Sequence, residues 1–455
     1  MIKMRILVCI LLVFSLIQGF SAHAQEAKTR WEMMNLIRKE KLDIILPQSM
    51  RENNIDMWIL VNRYGRRDPL SKELGGGYAS DKWHQGNFLA YVVFTDRGGN
   101  RIERAALGTY GDPSLYDVFG ATGDLKKFVE ERDPKRIAVN MSEYLGVADG
   151  LSFTCHMALV KALGEKYAAK LVSSEMLVSD FRSRRVASEI AVFAKSIELT
   201  GRLLDRALSN EVITPGVTTL GDVAWWVADQ LLARGYTPNY DSLPRILYPK
   251  MHTTKDGRQI VRAPGGPRDR VIQRGYLVGW DTGIHILGSY GTDIERYAYV
   301  LREGETDLPK TIKETFAHGL KVRKLIQDNV KPGRTGLETL NILYSKVKEL
   351  GYQICYVEDQ VSDNSNIEIN IGWHSVGESY YHGSGPAVWT DKDQIFCSKL
   401  VLKPTHLEAF EFFVYYPVPE WGGKKLLFDF EENVIITENG VEFFIPQIDK
   451  IKLIR

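Results

Sequence analysis

The sequence predicts an α/β N-terminal domain followed by an α+β C-terminal domain built from two related halves. Three observations predict it. The 455 residues exceed what a single core usually organises. In the first part, short apolar runs of strand length alternate with helical patterns. In the second, one helix–sheet pattern occurs twice. Hydrophobic residues at 44% and charged residues at 25% are ordinary for a globular chain. The formal net charge of +1 gives no support for a nucleic acid or other polyanion as partner.

Residues 1–24 read as a cleavable signal peptide. Lys3 and Arg5 precede an apolar run from Ile6 to Ile17, and Ala22-His23-Ala24 supplies the small residues of a cleavage site. The mature chain then begins near Gln25, in the periplasm or outside the cell. The run is too short to span a bilayer, and no later segment is long and apolar enough, so no stable membrane anchor is expected. Cys9 sits inside the run, not at its end, which gives no lipid attachment site. Cys155, Cys355 and Cys397 lie far apart and fit neither a disulfide framework nor a zinc–thiolate site; they are expected as free buried thiols.

The N-terminal domain is expected over residues 25–178. Residues 31–53 carry an irregular helical pattern that Pro47 should interrupt. Met57–Val61, Leu89–Phe94 and Arg136–Asn140 have the length and composition of strands. Gly75-Gly76-Gly77 reads as a flexible loop, since it lacks the lysine and strand–helix context of a phosphate cradle. His84 and His156 stand alone and are read as structural.

The C-terminal domain is expected over residues 179–455. It opens on a helical pattern through Val186, Ile190, Phe193 and Ile197. The basic cluster Arg182, Arg184 and Arg185 reads as a solvated helix face or a domain contact. The repeat follows. Thr214-Pro215-Gly216-Val217-Thr218 and Lys331-Pro332-Gly333-Arg334-Thr335 each supply a turn and a threonine able to cap a helix. Each leads into an amphipathic helix, through Leu220, Val223, Val227 and Leu231 or Leu337, Leu340, Tyr344 and Val347, closed by Gly235 or Gly351. Two such units would pack with helices outside and a curved sheet inside.

The residues able to carry chemistry fall within and after this repeat. Gly279-Trp280-Asp281-Thr282-Gly283 and Gly291-Thr292-Asp293-Ile294-Glu295-Arg296 read as the arms of a β-hairpin turning near Gly288 and Ser289, with an acid on each arm. Two carboxylates aimed at one point repel, and burying them together is costly unless a cation lies between. Further on come His374, His382, Glu411 on a strand of aromatic neighbours, and Glu431 just after Phe430.

Together these segments resemble the pita-bread metallopeptidases, the group of Xaa-Pro aminopeptidase, prolidase and methionine aminopeptidase, in the branch with a creatinase-like N-terminal domain. The family's five ligand segments have counterparts in order. Its Asp-x-Gly matches Asp281-Thr282-Gly283, and its Ser-Asp-x-Thr-Arg matches Thr292-Asp293-Ile294-Glu295-Arg296. Its His-x-x-Gly matches His374-Ser375-Val376-Gly377, its Thr-x-Glu-Pro matches Ala409-Phe410-Glu411-Phe412, and its Arg-x-Glu-Asp matches Asp429-Phe430-Glu431-Glu432.

The resemblance implies two divalent metal ions, manganese first, with zinc, cobalt or iron as alternatives; four carboxylates and one imidazole suit such ions. By the same resemblance Asp293 and Glu431 bridge the ions, Asp281 completes one, and His374 with Glu411 the other. A water between the ions becomes the nucleophile. Glu411 shuttles its proton, and His382 steadies the substrate carbonyl. The expected function is an exported aminopeptidase cleaving peptide N-termini, most of all Xaa-Pro bonds. Relatives with such an N-terminal domain often pair through it, so a homodimer is the expected assembly.

The match has departures. Asp281 and Asp293 stand 293 − 281 = 12 positions apart, and His374 and His382 stand 382 − 374 = 8 apart, each one more than the family's usual spacing. Phe412 stands in place of the proline, and the family's upstream histidine has only His252 as a counterpart, out of register. Two other readings follow: a binding protein that keeps the fold with weak or no catalysis, and a creatinase-like hydrolase of a small molecule. The second is disfavoured because that branch lacks the metal ligands.

Overall fold

The computed structural model describes residues 26–79, 89–247, 252–253, 259–260, 268–287, 290–356, 365–377, 383–389, 395–419 and 422–455, with the backbone alone at 77–79, 252–253, 259–260 and 395. The expected leader at 1–24, His84 and the expected hairpin turn at Gly288 and Ser289 lie outside them. The chain divides into two units, Met1–Leu177 and Val178–Arg455.

The first unit begins with a helical run over residues 26–52. Pro47 does not end it. Lys41–Ile45 forms a wide π turn in which the Leu46 N–H bonds the Lys41 carbonyl, and Pro47 then sits in the first turn of the helix Leu46–Glu52. The wider turn accommodates a ring that would strike the carbonyl four residues back. The expected strands form as Met57–Arg63, Leu89–Asp96 and Ile137–Val139. They lie in a mixed six-stranded sheet in the order 118–120, 102–107, 89–96, 57–63, 137–139, 171–173. Met57–Arg63 and Leu89–Asp96 are buried almost throughout, as strands covered on both faces must be. The triple glycine is not the expected loop: Gly76–Ala79 is a short strand paired with Thr109–Gly111. His156 is half-buried on the helix Phe153–Leu163.

The second unit repeats itself. Each half has a long helix, Ala187–Ala207 or Lys310–Asn329, and a turn at a glycine of positive φ, Gly216 at 79° or Gly333 at 87°. Each then has a capped helix, Leu220–Leu232 or Gly336–Glu349. The equivalence reaches single hydrogen bonds. The Gly216 N–H donates to the Ile272 carbonyl at 2.8 Å, and the Gly333 N–H donates to the Leu402 carbonyl at 2.8 Å. One detail differs from expectation. Thr335 caps its helix, but in the first half the cap is Thr219, one residue beyond Thr218. The Thr218 hydroxyl instead accepts from the Thr214 N–H at 2.9 Å and fixes the turn. The described cysteines, Cys155, Cys355 and Cys397, are buried thiols that form no disulfide, as expected, and no described helix is long and apolar enough to cross a membrane.

Two larger sheets line this unit among the described residues. The smaller has the order 452–454, 294–300, 277–282, 245–247. The larger is built on Leu407–Pro417, which pairs along its whole length with Lys425–Thr437 and on its other edge with Glu368–Ile371 and Trp373–Ser375. The helix Lys310–Asn329 packs against one face of this sheet. Phe430 stacks on Phe412 with centroids 4.9 Å apart and lies 5.4 Å from Phe316. A Cβ on Gly319 would stand 2.0 Å from the Phe430 ring. Alanine is normally the better helix former by about 1 kcal/mol, but overpacking costs about 1–3 kcal/mol. Gly319→Ala is therefore expected to lower stability, and a denaturant midpoint at or above the wild-type value would refute this packing argument.

Candidate metal centre

Alternation along two strands separates chemistry from packing. Glu411 stands directly opposite Glu431, while the next pair, Phe412 and Phe430, turns to the helix-covered face. This is why an acid can sit among aromatic neighbours in sequence without touching their packing face. His374 reaches the same space from the strand Trp373–Ser375, where it pairs with Ala409. Its Nε2 lies 3.7 Å from Glu431 Oε1 and 3.9 Å from both Glu411 Oε2 and Asp293 Oδ2. Its Nδ1 lies 3.2 Å from the Ser375 carbonyl. A proton on Nδ1 would donate there and leave the Nε2 lone pair facing the carboxylates.

The two aspartates come from the hairpin Leu277–Thr282 and Ile294–Val300, in which Asp281 faces Glu295. The ladder ends at Thr282 and Ile294. Beyond it, Gly283 passes so close to the other arm that a Cβ would meet the Thr292 carbonyl at 1.5 Å. Asp293 thus leaves the ladder, and Asn433 takes over its backbone. The Asp293 N–H donates to Asn433 Oδ1 at 2.9 Å, and Asn433 Nδ2 donates to the Asp293 carbonyl at 2.6 Å. Asp281 lies beside this group, in a trio with Glu295 and Asp429 whose ligand atoms fall within 4.8 Å of one another. His382 lies outside the described residues, as does the side chain of His252.

The basic cluster is corrected by the structure. Arg182, Arg184 and Arg185 are buried, not a solvated face. Arg185 donates to the Val376 carbonyl at 2.9 Å and to Glu189 at 2.7 Å, and Arg182 donates to the Ser384 hydroxyl at 2.6 Å. These bonds anchor the chain just after His374. Charge alone, without knowledge of those distant acceptors, allowed a solvated face as one of its two readings.

A model of metallopeptidase family M24 matches residues 191–438. The chain belongs to that family. Solved structures share the fold of this metallopeptidase. An X-Pro aminopeptidase from Thermotoga maritima matches with a TM-score of 0.60 at 17% identity, covering 89% of this chain and 99% of its own. A prolidase from Pyrococcus horikoshii matches with a TM-score of 0.58 at 19% identity, covering 90% and 99%. A dipeptidase, PepE, from Mycobacterium ulcerans matches with a TM-score of 0.58 at 15% identity, covering 92% and 98%. No curated protein matches the chain by sequence.

The donor set of this metallopeptidase fits a metal centre. Asp293, His374, Glu411 and Glu431 are all buried, with residue exposures of 6%, 4%, 6% and 3%. Burial first, then the charges of Asp293, Asp281, Glu411 and Asp429, push the Glu431 carboxyl well above the ordinary range. Glu431 Oε2 is buried with no hydrogen-bond partner among the described residues. Like charges facing each other across a ladder are destabilising. Divalent cations would remove that repulsion, and oxygen donors with one imidazole suit them. Four residues of the centre were given no role by the sequence reading: Asn433, which clamps Asp293, and Arg245, Glu295 and Asp429 beside Asp281. Glu295 and Asp429 stood inside matched motifs, but the partner that makes sense of them is the distant Arg245.

Proposed function

We propose that this metallopeptidase is an exported aminopeptidase that hydrolyses the N-terminal peptide bond, with Xaa-Pro bonds preferred. In this reading Asp281, Asp293, His374, Glu411 and Glu431 hold two divalent ions, manganese first among them. The observation that carries it is the convergence of buried carboxylates on His374 Nε2. The ions would supply Lewis-acid activation of water and of the scissile carbonyl. The chain's own residues do the rest. Glu411, buried beside the imidazole, takes the proton of the attacking water and passes it to the leaving amine. His382 steadies the substrate carbonyl. The Ser375 carbonyl and the Asn433 amide fix the tautomer and backbone of the residues they touch. The Xaa-Pro preference is supported by the names of the structural relatives, an X-Pro aminopeptidase and a prolidase. The leader and its cleavage site support export.

The test is a metal analysis of the purified mature chain, followed by hydrolysis of Xaa-Pro dipeptides and longer Xaa-Pro peptides. Two ions per chain are expected, with activity lost on chelation and restored by Mn²⁺. Bound metal with no turnover on any peptide would overturn the enzymatic reading. Equal rates on Xaa-Pro and Xaa-Ala bonds would overturn the specificity alone.

A further inference from the structure

We propose that Arg245 is a positioning residue for Asp281, and that its guanidinium, not a further cation, fills the trio formed by Asp281, Glu295 and Asp429. The proposal rests on the two-ion reading above. Arg245 lies on the edge strand Arg245–Leu247, in one row with Gly279 and Tyr297 across three strands. Asp281 and Glu295 form the row two residues further on and so point to the same side of the sheet. Arg245 Nη2 pairs with Glu295 Oε2, on the far strand of the three, and with Asp429 Oδ2 at 3.0 Å. Its Nη1 lies 3.9 Å from Asp281 Oδ2.

To reach Glu295 the side chain must cross the middle strand, and the residue in its row on that strand is Gly279. A Cβ there would stand 2.5 Å from the Tyr297 ring and 2.9 Å from Glu295 Oε1. The glycine therefore gives Tyr297 and Glu295 the space in which they meet the arginine.

The charges lead to the same assignment. The Glu295 and Asp429 side chains are fully buried, while that of Asp281 is 26% exposed. Two buried acids need a compensating cation close by. The planar fork of arginine can answer two acids on one nitrogen and lean on a third acid with the other. A metal ion would need carboxylate oxygens at about 2.0–2.6 Å, in space that the guanidinium already occupies. Both acids meet one nitrogen of the same guanidinium, so they and Arg245 act as one unit. That unit sets its positive charge 3.9 Å from one oxygen of Asp281.

The test is titration of Mn²⁺ into the metal-free mature chain, by calorimetry and electron paramagnetic resonance. Wild type is compared with R245M, R245K and the triple variant R245M/E295Q/D429N. Wild type should bind two ions. Loss of a residue that orients a metal ligand costs about 10–100-fold in affinity, so R245M should weaken the second ion by that factor and leave the first nearly unchanged. R245K should recover part of the loss. The triple variant removes the two fully buried acids together with their cation and should unfold near the wild-type temperature, yet keep the weakened second ion.

Unchanged affinities in R245M would overturn the proposal alone. So would full second-ion affinity in the triple variant, which would reduce Arg245 to a neutralising charge. A third Mn²⁺ in wild type that disappears in E295Q/D429N would make the trio a cation site and also overturn it. A wild-type chain that binds no Mn²⁺ would overturn the two-ion reading, and this proposal with it.

Discussion

Asp293→Ala is expected to abolish hydrolysis and to remove bound metal, without unfolding the chain. The carboxylate lies 3.9 Å from His374 Nε2 and, of the neighbouring charges, acts most strongly on Glu431. Removing an outer partner of a metal ligand costs about 10–100-fold in affinity or activity. Loss of a direct ligand, one proposed to be shared by both ions, should exceed that and lower the rate by about 10³-fold or more. The fold should survive because what Asn433 holds is the Asp293 backbone, which alanine keeps. One fewer carboxylate also eases the crowding around Glu431. The measurements are ion content after dialysis, turnover of an Xaa-Pro peptide, and the unfolding midpoint of the metal-free chain. Full metal content together with an unchanged rate would falsify the ligand assignment. A collapsed midpoint would refute the view that Asp293 is tolerated, not required, by the apo fold.

What the sequence made legible here is local, and what it hid is long-range. Gly283 is marked in sequence because the two arms of the hairpin approach too closely for a side chain. The halves of the second unit are marked because each needs the same glycine turn and threonine cap. Glu411 is marked by aromatic neighbours that turn away from it. By contrast, Arg245 meets Asp429 across 184 positions, and Asn433 meets Asp293 across 140. No periodicity or spacing encodes such a partner. The same limit explains Arg182 and Arg185, whose acceptors, Ser384 and Val376, lie about two hundred residues away. Pro47 and the Thr218–Thr219 cap show a smaller limit. A breaker or a capping residue fixes that something happens locally, but a π turn or a one-residue shift decides its form.

Glu431→Gln separates the function of the centre from the stability of the fold. Hydrolysis should fall as steeply as in Asp293→Ala, since the amide is a poor replacement for a carboxylate proposed to hold metal. The metal-free variant, however, should be more stable than metal-free wild type above the unfolded carboxyl value, because wild type must there either bury the Glu431 charge or hold a proton that the unfolded chain has released. The pH dependence gives the sharper readout. Burial and neighbouring acids raise the Glu431 carboxyl above its unfolded value. A group raised in the folded state binds its proton more tightly there than in the unfolded chain. Its contribution to stability is complete below the unfolded carboxyl value, about 4.3, and is lost as pH rises through the higher folded value. Metal-free wild type should therefore lose stability over that climb, and the glutamine variant should lose less. Saturating Mn²⁺ should flatten the wild-type curve, because the ions hold the ionised form and bind only the folded chain. Thermal unfolding in chelator and in Mn²⁺, at one scan rate and a series of pH values, reads all three effects. Parallel curves for wild type and variant would mean that Glu431 carries no trapped charge, and the electrostatic case for a cation at this site would fall with it.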